Sequence, residues 1–177
     1  MTRSTRRPEK SEYHEYYDTY VRLVPEGDIV TILKEQLAAT LDLLSGASQE
    51  QAEHRYAPGK WSVKEVVGHV VDIEWVFTHR ALCFARGDTS ALPGVEQDEL
   101  VAEANFDAQP LPVLLGQLRH LRSANVLLFG AMDDAAFDRR GVASDCEFTV
   151  RSIAYIIAGH ERHHREVLRE RYLSVVV

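Results

Sequence analysis

The sequence predicts an all-α fold, a four-helix bundle, and three observations carry that expectation. Four long runs place apolar residues at helical spacing. Three of those runs open on a good capping residue: Asp28, Ser62 or Thr149. The connection between the second and third runs, residues 87–110, is long enough to return along a whole helix. Amphipathic helices joined by loops bury their apolar faces against one another.

The first helix follows Asp28. Ile29, Ile32, Leu33, Leu37, Leu41 and Leu44 keep a helical period to about Ser45, and Gly46 is placed to cap the C-terminus. Residues 47–61 then form a connection ending in YAPGKWS, where Pro58-Gly59 signals a turn. Ser62-Val63-Lys64-Glu65 is a capping box: the serine caps and the glutamate reaches back. The second helix runs from Val63 to about Arg86 on a stripe of Val63, Val66, Val70, Ile73, Phe77 and Phe84. Gly68 costs this helix about 1 kcal/mol relative to alanine, which suits the close approach of a neighbour. A helix of about 24 residues spans about 36 Å. The 87–110 connection, with a weakly helical piece around Glu96–Glu103, therefore allows helices two and three to run parallel.

The third helix spans Leu111 to about Met132, with Leu114, Leu115, Leu118, Leu121, Leu128 and Phe129 on its face. Residues 133–149 are expected to be a connection turning at Gly141. The fourth helix covers Ile153–Arg171, with Thr149 as its N-cap. Ahead of the bundle, at 28–177, residues 1–27 make an N-terminal arm. Tyr13, Tyr16, Tyr17 and Tyr20 recur in it at helical spacing. Those rings either pack the arm onto the bundle, or one phenol lines a site and supplies a donor. Val175-Val176-Val177 is a tail that docks or frays.

A chain of 177 residues with 45% hydrophobic content can bury a core without disulfides or a structural metal. Its formal charge of −7 argues against nucleic acid or an anionic membrane as partner. Arg3, Arg6, Arg7 and Lys10 form only a short basic arm. The start, MTRSTRRPEK, lacks the apolar core of a signal peptide, and no transmembrane run is present. Cys83 and Cys146 stand far apart and suit free thiols in a reducing cytoplasm. Together these features point to a cytoplasmic protein that meets a small-molecule substrate.

The fourth helix carries the chemistry. At about 100° per residue, with His160 at zero, its apolar stripe centres at about 20° and His164 falls at about 40°. Both imidazoles thus face the core, one turn apart, a spacing that lets two rings reach one ion. His163 lies about 80° off that line, and Arg162, Arg165 and Glu166 point away. The bland alternative is a pair of core histidines satisfied by carboxylates or carbonyls. His69, on the inward shoulder of the second helix, completes a potential His₃ set drawn from two helices. Three neutral ligands leave open positions, the mark of a catalytic metal site. Glu65 and Asp72 lie beyond His69 and are candidates to orient it from behind or to move protons. His14, His54, His79, His120 and His163 have weaker claims as surface or supporting residues.

GKWSVKEVVGHVVDIEWVF at 59–77 and GHERHHREVLRERY at 159–172 together resemble the DinB-like (YfiT-like) superfamily of metal-dependent enzymes. YVRLVPEGDIVTIL at 20–33 is similar as well. The resemblance implies a four-helix bundle with a long crossover between helices 2 and 3. It implies a divalent ion, zinc, nickel or similar, on His69, His160 and His164. Family activities include S-transfer from bacillithiol or mycothiol and a mycothiol-dependent isomerisation. A low-molecular-weight thiol is therefore an expected cofactor, and a homodimer an expected assembly. Three readings follow: a metal-dependent S-transferase or hydrolase, a non-catalytic binding bundle, or a structural protein with core histidines.

Overall fold

Four long helices carry the structure, a computed structural model that describes residues 6–173. They are α2 (Ile29–Leu44), α4 (Val63–Ala85), α6 (Leu111–Gly130) and α8 (Val150–Val167). Shorter pieces fill the connections: α1 (Asp18–Val21), α3 (Gln49–Glu53), α5 (Gln97–Ala104) and α7 (Asp134–Asp138). An antiparallel hairpin of β1 (Arg140–Ala143) and β2 (Cys146–Thr149) precedes α8. Arg3 of the basic arm and the Val175–Val177 tail lie outside the described residues.

The three expected N-caps form, whereas the C-cap of the first helix is Ser45 rather than Gly46, which is not left-handed. Asp28 accepts from the Thr31 amide at 2.8 Å. Ser62 and Glu65 close their box, with the Ser62 amide donating to Glu65 Oε2 at 2.7 Å. Thr149 Oγ1 accepts from the Ser152 amide at 3.0 Å. Contacts along α4 and α6 advance together: Lys64 meets the Asp107 carbonyl, Glu74 meets Arg122, and Thr78 meets Asn125. The two helices therefore run parallel, and residues 87–110 are the return crossover. Gln36 and Thr40 of α2 both reach Glu161 of α8.

Several local expectations are corrected. The 47–61 and 133–149 segments are not plain connections, because Ser48 and Asp133 cap the short helices α3 and α7. Gly141 does not turn the chain. It lies in β1 opposite Phe148, where a Cβ would sit 2.1 Å from the Phe84 ring. The turn falls instead on Ser144 and Asp145, both left-handed at φ 51° and 58°. The fourth helix begins at Val150, directly after its cap Thr149, and closes in a π-helical turn over Leu168–Leu173. Arg165 is not wholly on the outer side; it is half-buried and donates to the Gln36 carbonyl at 3.3 Å.

Two more glycines mark close approaches. At Gly68 a Cβ would lie 2.4 Å from the Phe106 ring, so the crossover presses against α4 where the sequence suggested a neighbour. At Gly159 a Cβ would lie 2.1 Å from the Tyr20 carbonyl oxygen. The arm is thus seated in the bundle, with Tyr13, Val21 and Val24 buried in its core. Gly159→Ala meets backbone, so it should cost about 1–3 kcal/mol as an overpacking change. Gly116→Ala meets nothing within 4 Å and should be neutral or stabilising. Thermal melts of the two variants check this, and equal midpoints would contradict it.

Candidate metal centre

His69 sits in the first half of α4, and His160 and His164 in the second half of α8. The structure brings all three together. Their nearest ring nitrogens lie within 4.8 Å of one another. His69 Nε2 and His160 Nε2 are 3.0 Å apart, and the ring centroids of His160 and His164 are 4.5 Å apart. His69 and His160 are buried. Trp61 packs over His69 at 4.8 Å, and Tyr20 meets His160 edge-on at 5.2 Å. Tyr20 also touches His163, which is half-buried and whose ring is 5.0 Å from that of His164.

Burial dominates the electrostatics. It pushes His69 down to about 4, with a smaller contribution from His163. It holds His160 and His164 well below the ordinary imidazole range, and neighbouring histidines, His69 and His163 for both, add to this. All three are therefore neutral at pH 7, the form that binds metal. The bland alternative, satisfied core histidines, fits poorly. A hydrogen bond between His69 and His160 would use one nitrogen of each, yet His164 Nδ1 is buried without a partner. Two nitrogens on a tetrahedral ion at about 2.0–2.1 Å stand roughly 3.3 Å apart, so the observed 3.0 Å spacing needs only a small opening. The donor set fits a divalent ion.

This desolvation has a consequence for the chelated protein. The unfolded chain takes up a proton at His69 near 6.5, whereas the folded chain resists it to about 4. Stability is therefore complete above about 6.5 and falls as pH drops towards 4, by roughly 3 kcal/mol for His69 alone. His160 and His164 act in the same direction. Melting temperature measured against pH in the presence of chelator tests this. A flat profile across that window would contradict it.

The two carboxylates expected behind His69 are placed otherwise. Glu65 is committed to the Ser62 amide and to Arg55, which also meets Asp107 at 2.6 Å. Asp72 is half-buried, and burial raises its pKa. Among the described residues no hydrogen bond joins either one to His69. Instead, a buried charged cluster includes Glu161, the residue after His160. Arg122, fully buried, holds Glu74 with two bonds of 2.7 Å and Glu161 with one of 2.5 Å. Glu161 also accepts from Thr40 and Gln36 at 2.5 Å each. Asn125 bridges Glu74 and Thr78. The sequence carried a signal for this cluster: Leu115, Leu118, Arg122, Asn125 and Phe129 keep one helical spacing, which puts a charge at a core position.

Two cavities reach the histidines, one at His160 and the other at His163 and His164. One, of about 310 Å³, is bounded by Tyr16, Tyr17, Tyr20, Phe77, Arg80 and His160. The other, of about 430 Å³, is bounded by Tyr56, Trp61, His163, His164 and Arg171. Asp98, at the start of α5, borders both. The tyrosine arm packs onto the bundle through Tyr13, and Tyr16, Tyr17 and Tyr20 also border the first cavity.

The family model for the DinB superfamily matches residues 32–168, well over half of the chain. The chain belongs to the DinB superfamily. Among solved structures this DinB-superfamily chain is similar to YfiT from Bacillus subtilis, at 19% identity and a TM-score of 0.72. The match covers 94% of this chain and 93% of YfiT, which is described as a probable metal-dependent hydrolase with an unusual four-helix bundle topology. No curated protein matches the chain. No helix among the described residues is long and apolar enough to cross a membrane.

Proposed function

We propose that this DinB-superfamily chain is a metal-dependent enzyme acting on a small molecule, with one divalent ion on His69, His160 and His164. The observation that carries the proposal is the convergence of three buried or part-buried neutral imidazoles, one with a ring nitrogen unpaired among the described residues, bordering two cavities. When bound, the ion supplies Lewis acidity and makes an anionic nucleophile, thiolate or hydroxide, available near neutral pH. The chain's own residues do the rest. Trp61 and Tyr20 cover His69 and His160 and keep water from the ligand rings. Asp98, exposed and bordering both cavities, is the candidate for moving a proton between them.

Two cavities meeting at one centre favour a two-substrate reaction. S-transfer from a small thiol therefore ranks first. The thiolate sulfur forms a bond to an electrophilic carbon, the leaving group departs with its electron pair, and the thiol proton passes to solvent. Hydrolysis is the second reading, favoured by the likeness to YfiT. The test supplies bacillithiol, mycothiol and glutathione in turn with monochlorobimane. Conjugation is expected to require metal and to fall sharply in His160→Ala. Ester or amide hydrolysis without thiol conjugation would replace the first reading by the second. Neither activity, with metal bound, would leave a binding protein.

Removing the metal should not unfold the chain. Apolar side chains of all four long helices, among them Leu33, Phe84, Phe129 and Ile153, already form a buried core. Circular dichroism after chelation should show a helical spectrum and a cooperative melt at lower temperature. A coil spectrum would make the site structural.

A further inference from the structure

Four cationic side chains are buried among the described residues: Lys64, Arg80, Arg122 and Arg151. Three of them have carboxylate partners. Lys64 meets Glu53, Arg122 meets Glu74 and Glu161, and Arg151 meets Asp138 and Glu12. Arg80 is 3% exposed, and among the described residues no carboxylate lies within 4.0 Å of it. Its Nη2 donates to the Pro93 carbonyl at 3.0 Å and to Ser144 Oγ at 2.9 Å. It also lies over the Phe77 ring at 5.0 Å and borders the same cavity as Tyr17. These neutral partners fix the plane of the guanidinium without balancing its charge. A buried cation without a counter-charge is costly, and a guanidinium has five donors to satisfy.

Arg80 borders the 310 Å³ cavity that reaches His160. The walls are the rings of Tyr16, Tyr17, Tyr20 and Phe77. Glu96 and Asp98 stand exposed at its edge. They repel anions, but exposed charges are screened, whereas the buried guanidinium acts in a drier medium. The balance suits one negative charge and disfavours two. The geometry points to a substrate-recognition role for Arg80: it binds the carboxylate of a small, flat monocarboxylate whose apolar body lies among the tyrosines and whose other end faces His160. This rests on the histidine centre being the reacting centre.

The test is binding, so that it stands apart from turnover. Phenylacetate, its neutral isostere phenylacetamide, and phenyl phosphate are titrated calorimetrically into the chelated and the metal-loaded protein. Phenylacetate should bind at least about tenfold more tightly than the amide in both forms, and more tightly than the phosphate. Arg80→Gln should abolish the preference, and Arg80→Lys should retain part of it. Arg80→Gln also loosens the Pro93 and Ser144 contacts, so the wild-type comparison decides by itself. The proposal is overturned if the amide or the phosphate binds as well as phenylacetate, or if none binds at millimolar concentration. It is also overturned if the preference survives in a folded Arg80→Gln protein. Failure of metal-dependent turnover with this preference intact would count against the proposed function alone.

Discussion

His164→Ala should purify without stoichiometric divalent metal, while His163→Ala keeps it. The two residues are adjacent, yet their surroundings differ. His164 has a buried ring nitrogen with no partner and a centroid 4.8 Å from that of His69. His163 is half-buried against Tyr20 at 5.7 Å and is not one of the three converging rings. Losing one of three ligands should weaken binding by more than about a hundredfold, beyond the usual cost of losing a supporting partner. The fold should survive, since the ring is at the edge of the core. Elemental analysis and metal titration, with circular dichroism as the control for folding, make the comparison. Equal metal content in two folded variants would remove His164 from the ligand set.

The second large effect concerns stability. Arg122→Ala should destabilise the protein by about 3–5 kcal/mol, lowering its melting temperature by roughly 10–15 °C for a chain of this size. The cause is the pair of carboxylates left behind. Glu74 and Glu161 are both buried and lose the bonds of 2.7 Å and 2.5 Å that compensate their charge. Neutralising the whole set is a different change. Arg122→Met combined with Glu74→Gln and Glu161→Gln removes the stranded charges and should recover much of the loss. Thermal and urea melts of the single and triple variants test this. A single variant within about 1 kcal/mol of wild type would show that water reaches the cluster. Glu161 neighbours His160 on α8, so the single variant is also expected to bind metal less tightly.

The correspondence between sequence and site was uneven for identifiable reasons. The i, i+4 spacing of His160 and His164 needs only one helix to form, and their place on an apolar stripe needs only the helical period. Both were legible. That His69 joins them depends on the registration of α4 against α8, which the sequence suggested by resemblance and the structure gives as a 3.0 Å contact. Glu65 looked like a partner for His69 because it stands one helical turn before it. The same residue completes a capping box, and the local contact with Ser62 took it. Gly141 looked like a turn because glycine favours turns. Here it is small because Phe84 occupies the place of its side chain.

Arg80 and Glu161 show where one-dimensional reading ends. Each is a charged residue on a helix, and its sequence neighbours do not separate it from a solvated one. Burial decides the matter, and burial is set by which helix packs where. The sequence by itself determined four amphipathic helices, three of their N-caps, the long crossover and the inward histidine pair, because these follow from local periodicity and backbone hydrogen bonding. Tertiary structure alone decided the third imidazole's distance, the carboxylates that Arg122 holds and Arg80 lacks, and the seating of the tyrosine arm over His160. Those depend on contacts between residues distant along the chain, and such contacts exist only once the helices have packed.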